Sequence, residues 1–135
     1  MTAPLLDTHT WIWYVAEPGK LKRREFDALN QLDPANCPFI ADFSLWEMAT
    51  LVNLGRLKLG QPLERWLLQA AKPGIVTILP FSPEIAVELA SLPDTLHRDP
   101  ADRAIVATAR VHRLPVLTRD RRLLSSRLIQ PWRPK

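Results

Sequence analysis

The sequence predicts an α/β fold, a central parallel sheet of four to five strands with helices on both faces. Three observations carry that reading. Short apolar runs suited to strands recur at Ala3–Leu6, Phe39–Ala41, Ile75–Leu79 and Val116–Thr118, with a last one near Leu128–Gln130. Helical patterns lie between them, at Thr10–Val15, Leu21–Gln31, Leu45–Leu54, Pro62–Lys72, Pro83–Leu92 and Pro100–Arg113. Most of the thirteen prolines fall where an element should end or begin, among them Pro18, Pro34, Pro38, Pro62, Pro73, Pro80, Pro83, Pro100 and Pro115. Strands that alternate with helices imply a parallel sheet covered on both sides, and ligands of such sheets collect at the carboxyl ends of the strands.

The bulk numbers set limits. A chain of 135 residues suits one domain, residues 1–135, with one core. It is 47% hydrophobic and 24% charged, an ordinary globular balance. Cys37 is the single cysteine, which excludes an internal disulfide or a cysteine-based zinc cluster and fits a reducing, cytoplasmic setting. The start MTAPLLD reaches an acid at Asp7 without a basic or long apolar stretch, so no signal peptide is expected. No uncharged apolar run approaches the roughly 20 residues of a membrane span. The net charge of +4 favours an anionic partner such as nucleic acid.

Four acids stand where strands end or helices start. Asp7 follows the strand Leu5-Leu6, and Asp120 follows Val116-Leu117-Thr118 by one residue. Glu47 lies in FSLWEMATLV and Asp102 in HRDPADRAIVATA. Each has a structural explanation. Ser44-Leu45-Trp46-Glu47 matches the capping box S-x-x-E. Asp99 before Pro100 is a good N-cap followed by proline at the first helical position, and the helix dipole favours Asp102. Asp7 and Asp120 can cap the helices that follow their strands. His9, His97 and His112 show no ligand spacing and read as structural or solvent-facing.

Taken together, the acids say more. Asp102 shares a helix face with Ile105, Val106 and Ala109, and a carboxylate buried there is costly without a partner. Glu47 sits in a helix that is apolar nearly all round. If the sheet is parallel, all four acids meet at one edge. Carboxylates so gathered repel one another, and a hard divalent cation, magnesium or manganese, relieves the repulsion. Arg98 and Arg103 flank the Asp99–Asp102 pair, Arg119, Arg121 and Arg122 flank Asp120, and Lys20, Lys22, Arg23 and Arg24 form a further run. That run on its own reads as a solvated surface. Arginines beside a metal-binding acid cluster suit phosphates, and acids for metal with bases for a polyanion suit phosphodiester hydrolysis.

The segments LLDTHTWIW, SLWEMATL, HRDPADRAIVATA and LTRDRRL, in this order and spacing, resemble the PIN domain, in particular the VapC-type toxins of bacterial toxin–antitoxin pairs. The resemblance spans nearly the whole chain. It implies a metal-dependent endoribonuclease whose acidic quartet is Asp7, Glu47, Asp102 and Asp120, with Asp99 as an additional acid near the metal. Thr118 matches a hydroxyl position beside the metal, and Arg98, Arg103, Arg119 and Arg121 are the candidates for phosphate or RNA contact. The implied cofactor is Mg2+ (or Mn2+), and the implied reaction is in-line attack of an activated water, leaving 5′-phosphate and 3′-hydroxyl ends.

The resemblance also implies a cognate VapB-like antitoxin and a homodimer. Trp11 and Trp13, two apart in a predicted helix, point to different faces, so one of them is expected to lie under an antitoxin or a second subunit unless the helix is sandwiched. Two other readings stand beside the ribonuclease. One is a catalytically silent RNA-binding module of the same fold, against which the intact quartet argues. The other is a DNA-directed nuclease, against which the short chain argues.

Overall fold

The structure, a computed structural model, describes residues 2–135; Met1, the first residue of the expected domain, lies outside the described residues. Its strands are β1 (Leu5–Leu6), β2 (Phe39–Ala41), β3 (Thr77–Leu79) and β4 (Val116–Leu117). The helices are α1 (Thr8–Ala16), α2 (Arg23–Asn30), α3 (Phe43–Asn53), α4 (Leu63–Ala70), α5 (Pro83–Ala90), α6 (Pro100–His112) and α7 (Arg121–Ser125). The sheet is parallel throughout, in the order β3-β2-β1-β4.

Alternation along the strands divides the apolar side chains between two faces. Leu6, Ile40 and Leu117 pack with Trp11, Leu29, Met48 and Trp66, under the helices α1 to α4. Leu5, Ala41 and Val116 point the other way, onto Ile105 and Ala109 of α6. The register Leu5↔Phe39 and Leu5↔Val116 keeps each set on its own side. A central strand flanked on both sides must be apolar at every position, which is why β1 reads Leu-Leu rather than alternating.

The expected fifth strand does not form. Beside β4, the Val116 N–H reaches Gln130 O at 2.8 Å and the Trp132 N–H reaches Val116 O at 2.8 Å, but only one bridge, Val116↔Pro131, results. Pro131 has no N–H to extend a ladder, and Arg127 in the left-handed region (φ 62°) turns the chain just before it. The helix α7 went unforeseen because five residues carry too little periodicity to read. Among the described residues no helix is long and apolar enough to cross a membrane.

The order of the strands positions the site. From β1 the chain moves through β2 to β3 on one side, and β4 then joins on the other. The carboxyl ends of β1 and β4 therefore flank the point where the connections diverge, the place where α/β sheets bind ligands. Asp7 follows β1 and Asp120 follows β4.

Candidate metal-dependent active site

Each acid is placed by a local structural rule. Asp7 caps α1: its Oδ1 accepts the Thr10 N–H at 2.9 Å and lies 2.8 Å from Thr10 Oγ1. Asp99 caps α6, taking the Asp102 N–H at 2.9 Å, and Pro100 occupies the first helical position. Asp120 caps α7 through the Arg122 N–H at 2.8 Å. The capping readings are thus correct for these three acids.

For Glu47 the capping box is wrong. The residue before α3 is Asp42, which makes no side-chain cap, and Ser44 lies inside the helix, where its hydroxyl accepts from Thr8 at 2.9 Å. Glu47 Oε1 is buried and has no hydrogen-bond partner. A carboxylate oxygen out of water with nothing assigned to it is an anomaly that calls for an explanation.

The five acids meet. A cleft of about 380 Å³ is lined by Asp7, Glu47, Asp99, Asp102 and Asp120, with Arg119 and Arg122 at its rim. A larger cavity of about 590 Å³, by Thr2, Pro115 and Trp132 at the other edge of the sheet, is lined by no acid and no histidine.

Thr118, which the family resemblance puts beside the metal, ties two of the acids together. Its hydroxyl donates to Asp7 Oδ2 at 2.5 Å and accepts the Asp120 N–H at 3.0 Å. One buried side chain thereby fixes the ends of β1 and β4 relative to each other.

The electrostatics follow the crowding. Burial pushes the Asp102 carboxyl above the usual range, Asp99 and Asp120 push it further, and His97 offsets only part of this. Burial likewise raises Glu47, reinforced by Asp102 and Asp99 against the Thr8 hydroxyl and His9. Asp120 goes the other way. Burial alone would raise it, but Arg122 hydrogen-bonds it through backbone and side chain and holds it below the usual carboxylate range.

His97, read from the sequence as structural or solvent-facing, stands beside the acids. Its Nε2 lies 2.8 Å from Asp102 Oδ2, and His97, Asp102 and Asp120 each offer a ligand atom within 4.8 Å of the others. His97 Nδ1 is buried without a partner. A buried N–H there would be costlier than a buried lone pair, so the proton belongs on Nε2, donating to Asp102. The only advance signal was proximity, five residues ahead of an acid.

The basic candidates divide. Arg119 reaches the cleft, yet its guanidinium forms a bidentate pair with the buried Glu25. Arg103 points to main-chain carbonyls, Leu96 O at 3.1 Å and Leu92 O at 3.4 Å, and braces the loop that carries His97. Arg98 and Arg121 are exposed and line none of the acid cleft. Arg122, left out of the phosphate set, lines the cleft at its rim: it pairs with Asp120 at 3.1 Å and lies 3.9 Å from Asp102. The two tryptophans do face different ways. Trp11 is fully buried, its Nε1 donating to Ala70 O at 3.0 Å, while Trp13 is half-buried and lines the acid cleft beside His9.

The donor set suits a hard divalent cation: carboxylate oxygens from four elements, one of them lacking any partner. Asp7, Glu47, Asp99, Asp102 and Asp120 line the cleft and could hold it.

Residues 5–126 match the PIN domain family. The chain belongs to the PIN domain family, in its VapC-type branch. It is 37% identical over 131 residues to the ribonuclease VapC22 of Mycobacterium tuberculosis, an alignment covering 97% of each chain. Among solved structures this PIN domain is similar to FitAcB from Neisseria gonorrhoeae, at 25% identity and TM-score 0.67, covering 96% of both chains. It shares its fold with DNA-bound VapBC from Salmonella typhimurium, at 19% identity and TM-score 0.69 over 98% of both chains.

Proposed function

We propose that this protein is a metal-dependent endoribonuclease, the toxin of a toxin–antitoxin pair. The observation that carries the reading is the convergence of Asp7, Glu47, Asp99, Asp102 and Asp120 on one cleft, with Glu47 Oε1 buried and unpartnered. Caps explain three of the acids but neither their convergence nor Glu47. The likeness to a ribonuclease along nearly the whole chain supports RNA as the substrate.

A bound divalent cation would supply charge against the phosphate and a more acidic water. The protein does the rest. Asp7, fixed by Thr10 and Thr118, and Asp102, fixed by His97, present oxygens that cannot swing away. Glu47 Oε1, buried and without a partner at the cleft, is the group we assign to take a proton from the attacking water. Arg122, 63% exposed, is free to leave Asp120 for a phosphate oxygen. Trp13 and His9 offer ring faces for a base at the rim.

Exposed apolar side chains support protein partners. Trp46, Phe81 and Val87 are 55%, 40% and 71% exposed, and Leu54 and Leu68 are 57% and 70% exposed. The helix α3 is apolar nearly all round yet buries only Ser44 and Met48. We assign these surfaces to an antitoxin and to a second copy of the chain. The testing experiment offers purified protein RNA and DNA of the same sequence with Mg2+ or Mn2+. RNA cleaved in preference, leaving 5′-phosphate ends, agrees; preference for DNA would transfer the site to another nuclease class.

A further inference from the structure

An acid cleft repels a polyanion, so the grip on the substrate backbone has to come from cations not already neutralised. At the cleft itself, Arg119 is paired with the buried Glu25, and Arg122 has to give up Asp120 before it can meet a phosphate. A second cleft, of about 240 Å³, shares Arg119 as its wall with the first. It is lined by Lys22 and Arg24 at the start of α2, by Arg119 and Thr118, and by Arg133 of the carboxyl-terminal segment. Its four cations, Lys22, Arg24, Arg119 and Arg133, set against Glu25 alone, leave three positive charges.

These three are free. Lys22, Arg24 and Arg133 are exposed and form no ion pair among the described residues, whereas their neighbours Lys20 and Arg23 pair with Glu17 and Asp27. They also stand on ordered backbone. The Lys22 N–H is held by Glu25 Oε1 at 2.9 Å. Arg133 follows Trp132, whose indole is buried and donates to Thr2 O at 3.1 Å. Glu25 thus serves both clefts, orienting Arg119 toward one and the α2 start toward the other.

We propose that this basic cleft holds the phosphates of single-stranded RNA on one side of the cleavage point. The proposal rests on the ribonuclease reading and adds the direction in which the strand leaves the acids. The grip is independent of base identity, because everything it offers is positive charge.

The test compares two triple variants of equal net charge. Lys22→Gln/Arg24→Gln/Arg133→Gln empties the cleft of free cations. Arg56→Gln/Lys58→Gln/Arg65→Gln removes three exposed charges elsewhere. Binding of a labelled single-stranded RNA is followed by anisotropy in EDTA across a salt series, with thermal melts to verify folding. Each phosphate contact to a single strand contributes about 0.7 to the slope of log affinity against log salt, so the cleft variant should lose about 2 in slope. The control should keep the wild-type slope. With Mn2+ present, the cleft variant should show a raised KM for long RNA and an unchanged kcat.

Equal losses in both variants would reduce the effect to net charge and overturn the proposal. So would wild-type RNA binding by the cleft variant, including the case in which it instead loses affinity for an antitoxin. If the wild-type protein neither binds nor cleaves RNA, the ribonuclease reading falls and this proposal with it. Cleavage with no difference between the variants sinks the proposal alone.

Discussion

Replacing Asp102 by asparagine should stabilise the metal-free protein and abolish its response to metal. Asp102 and Asp120 offer oxygens within 4.8 Å of each other, and the Asp102 side chain is only 16% exposed. Two unit charges at that distance repel by about 3.5 kcal/mol at an effective dielectric of about 20, and by about 0.9 kcal/mol in bulk water. Arg122 at 3.9 Å and the His97 hydrogen bond return part of this. A net gain of about 1–2 kcal/mol remains for the neutral side chain, whose Oδ1 still accepts from His97. For 135 residues the unfolding entropy is about 0.28 kcal/mol per kelvin, so the melting temperature in EDTA should rise by about 4–7 °C. Metal reverses the order. At a hundredfold excess over Kd, binding adds about 2.7 kcal/mol to the wild type, or about 10 °C, and little to the variant. The assay is a pair of thermal melts, in EDTA and in Mn2+. An asparagine variant that melts below the wild type in EDTA would make Asp102 a structural acid and refute the reasoning, as would equal shifts of both proteins with Mn2+.

Other outcomes follow from the same geometry. His97→Ala should weaken Mn2+ binding about 10–100-fold by calorimetry, with partial rescue in His97→Gln, whose amide restores a donor to Asp102. Glu25→Gln leaves Arg119 without its charge partner and should cost about 2 kcal/mol in chemical denaturation. Glu25 is held below the ordinary carboxylate range, because its bonds to Arg119 outweigh burial. Its contribution is therefore present above that range and lost as pH falls through its lowered value, so wild type and variant should converge in acid. Asp102 and Glu47 run the other way. Raised by burial and by neighbouring acids, they favour the metal-free fold at low pH and disfavour it as pH rises past their shifted values. Mn2+ affinity should accordingly fall on acidification at a higher pH than ordinary carboxylates would give, and Asp102→Asn should remove much of that dependence of metal-free stability.

What the sequence made legible was what periodicity and capping encode. The helix α6 was readable at its start because Asp99-Pro100 is a cap with proline behind it, and its buried face was readable from Ile105, Val106 and Ala109. The parallel sheet was readable because two-sided burial demands continuous apolar strands. The convergence of the acids then follows from topology: in a parallel sheet every strand ends at the same edge.

What stayed hidden depends on contacts between distant residues. Glu25 and Arg119 are 94 positions apart, and nothing local marks either as the other's partner. His97 looked idle because its role requires the loop that Arg103 pins by its carbonyls. The capping box at Ser44 failed for a related reason: Thr8, from another helix, claimed the serine hydroxyl and left Glu47 facing the cleft. The fifth strand failed locally, at Pro131.

The most direct measurement is cleavage of RNA by purified protein freed of any antitoxin, in Mg2+ or Mn2+, beside EDTA and beside Asp102→Asn. The account predicts cleavage that needs the metal and disappears in the variant. Cleavage that survives EDTA, or that Asp102→Asn carries out as well as the wild type, would contradict it.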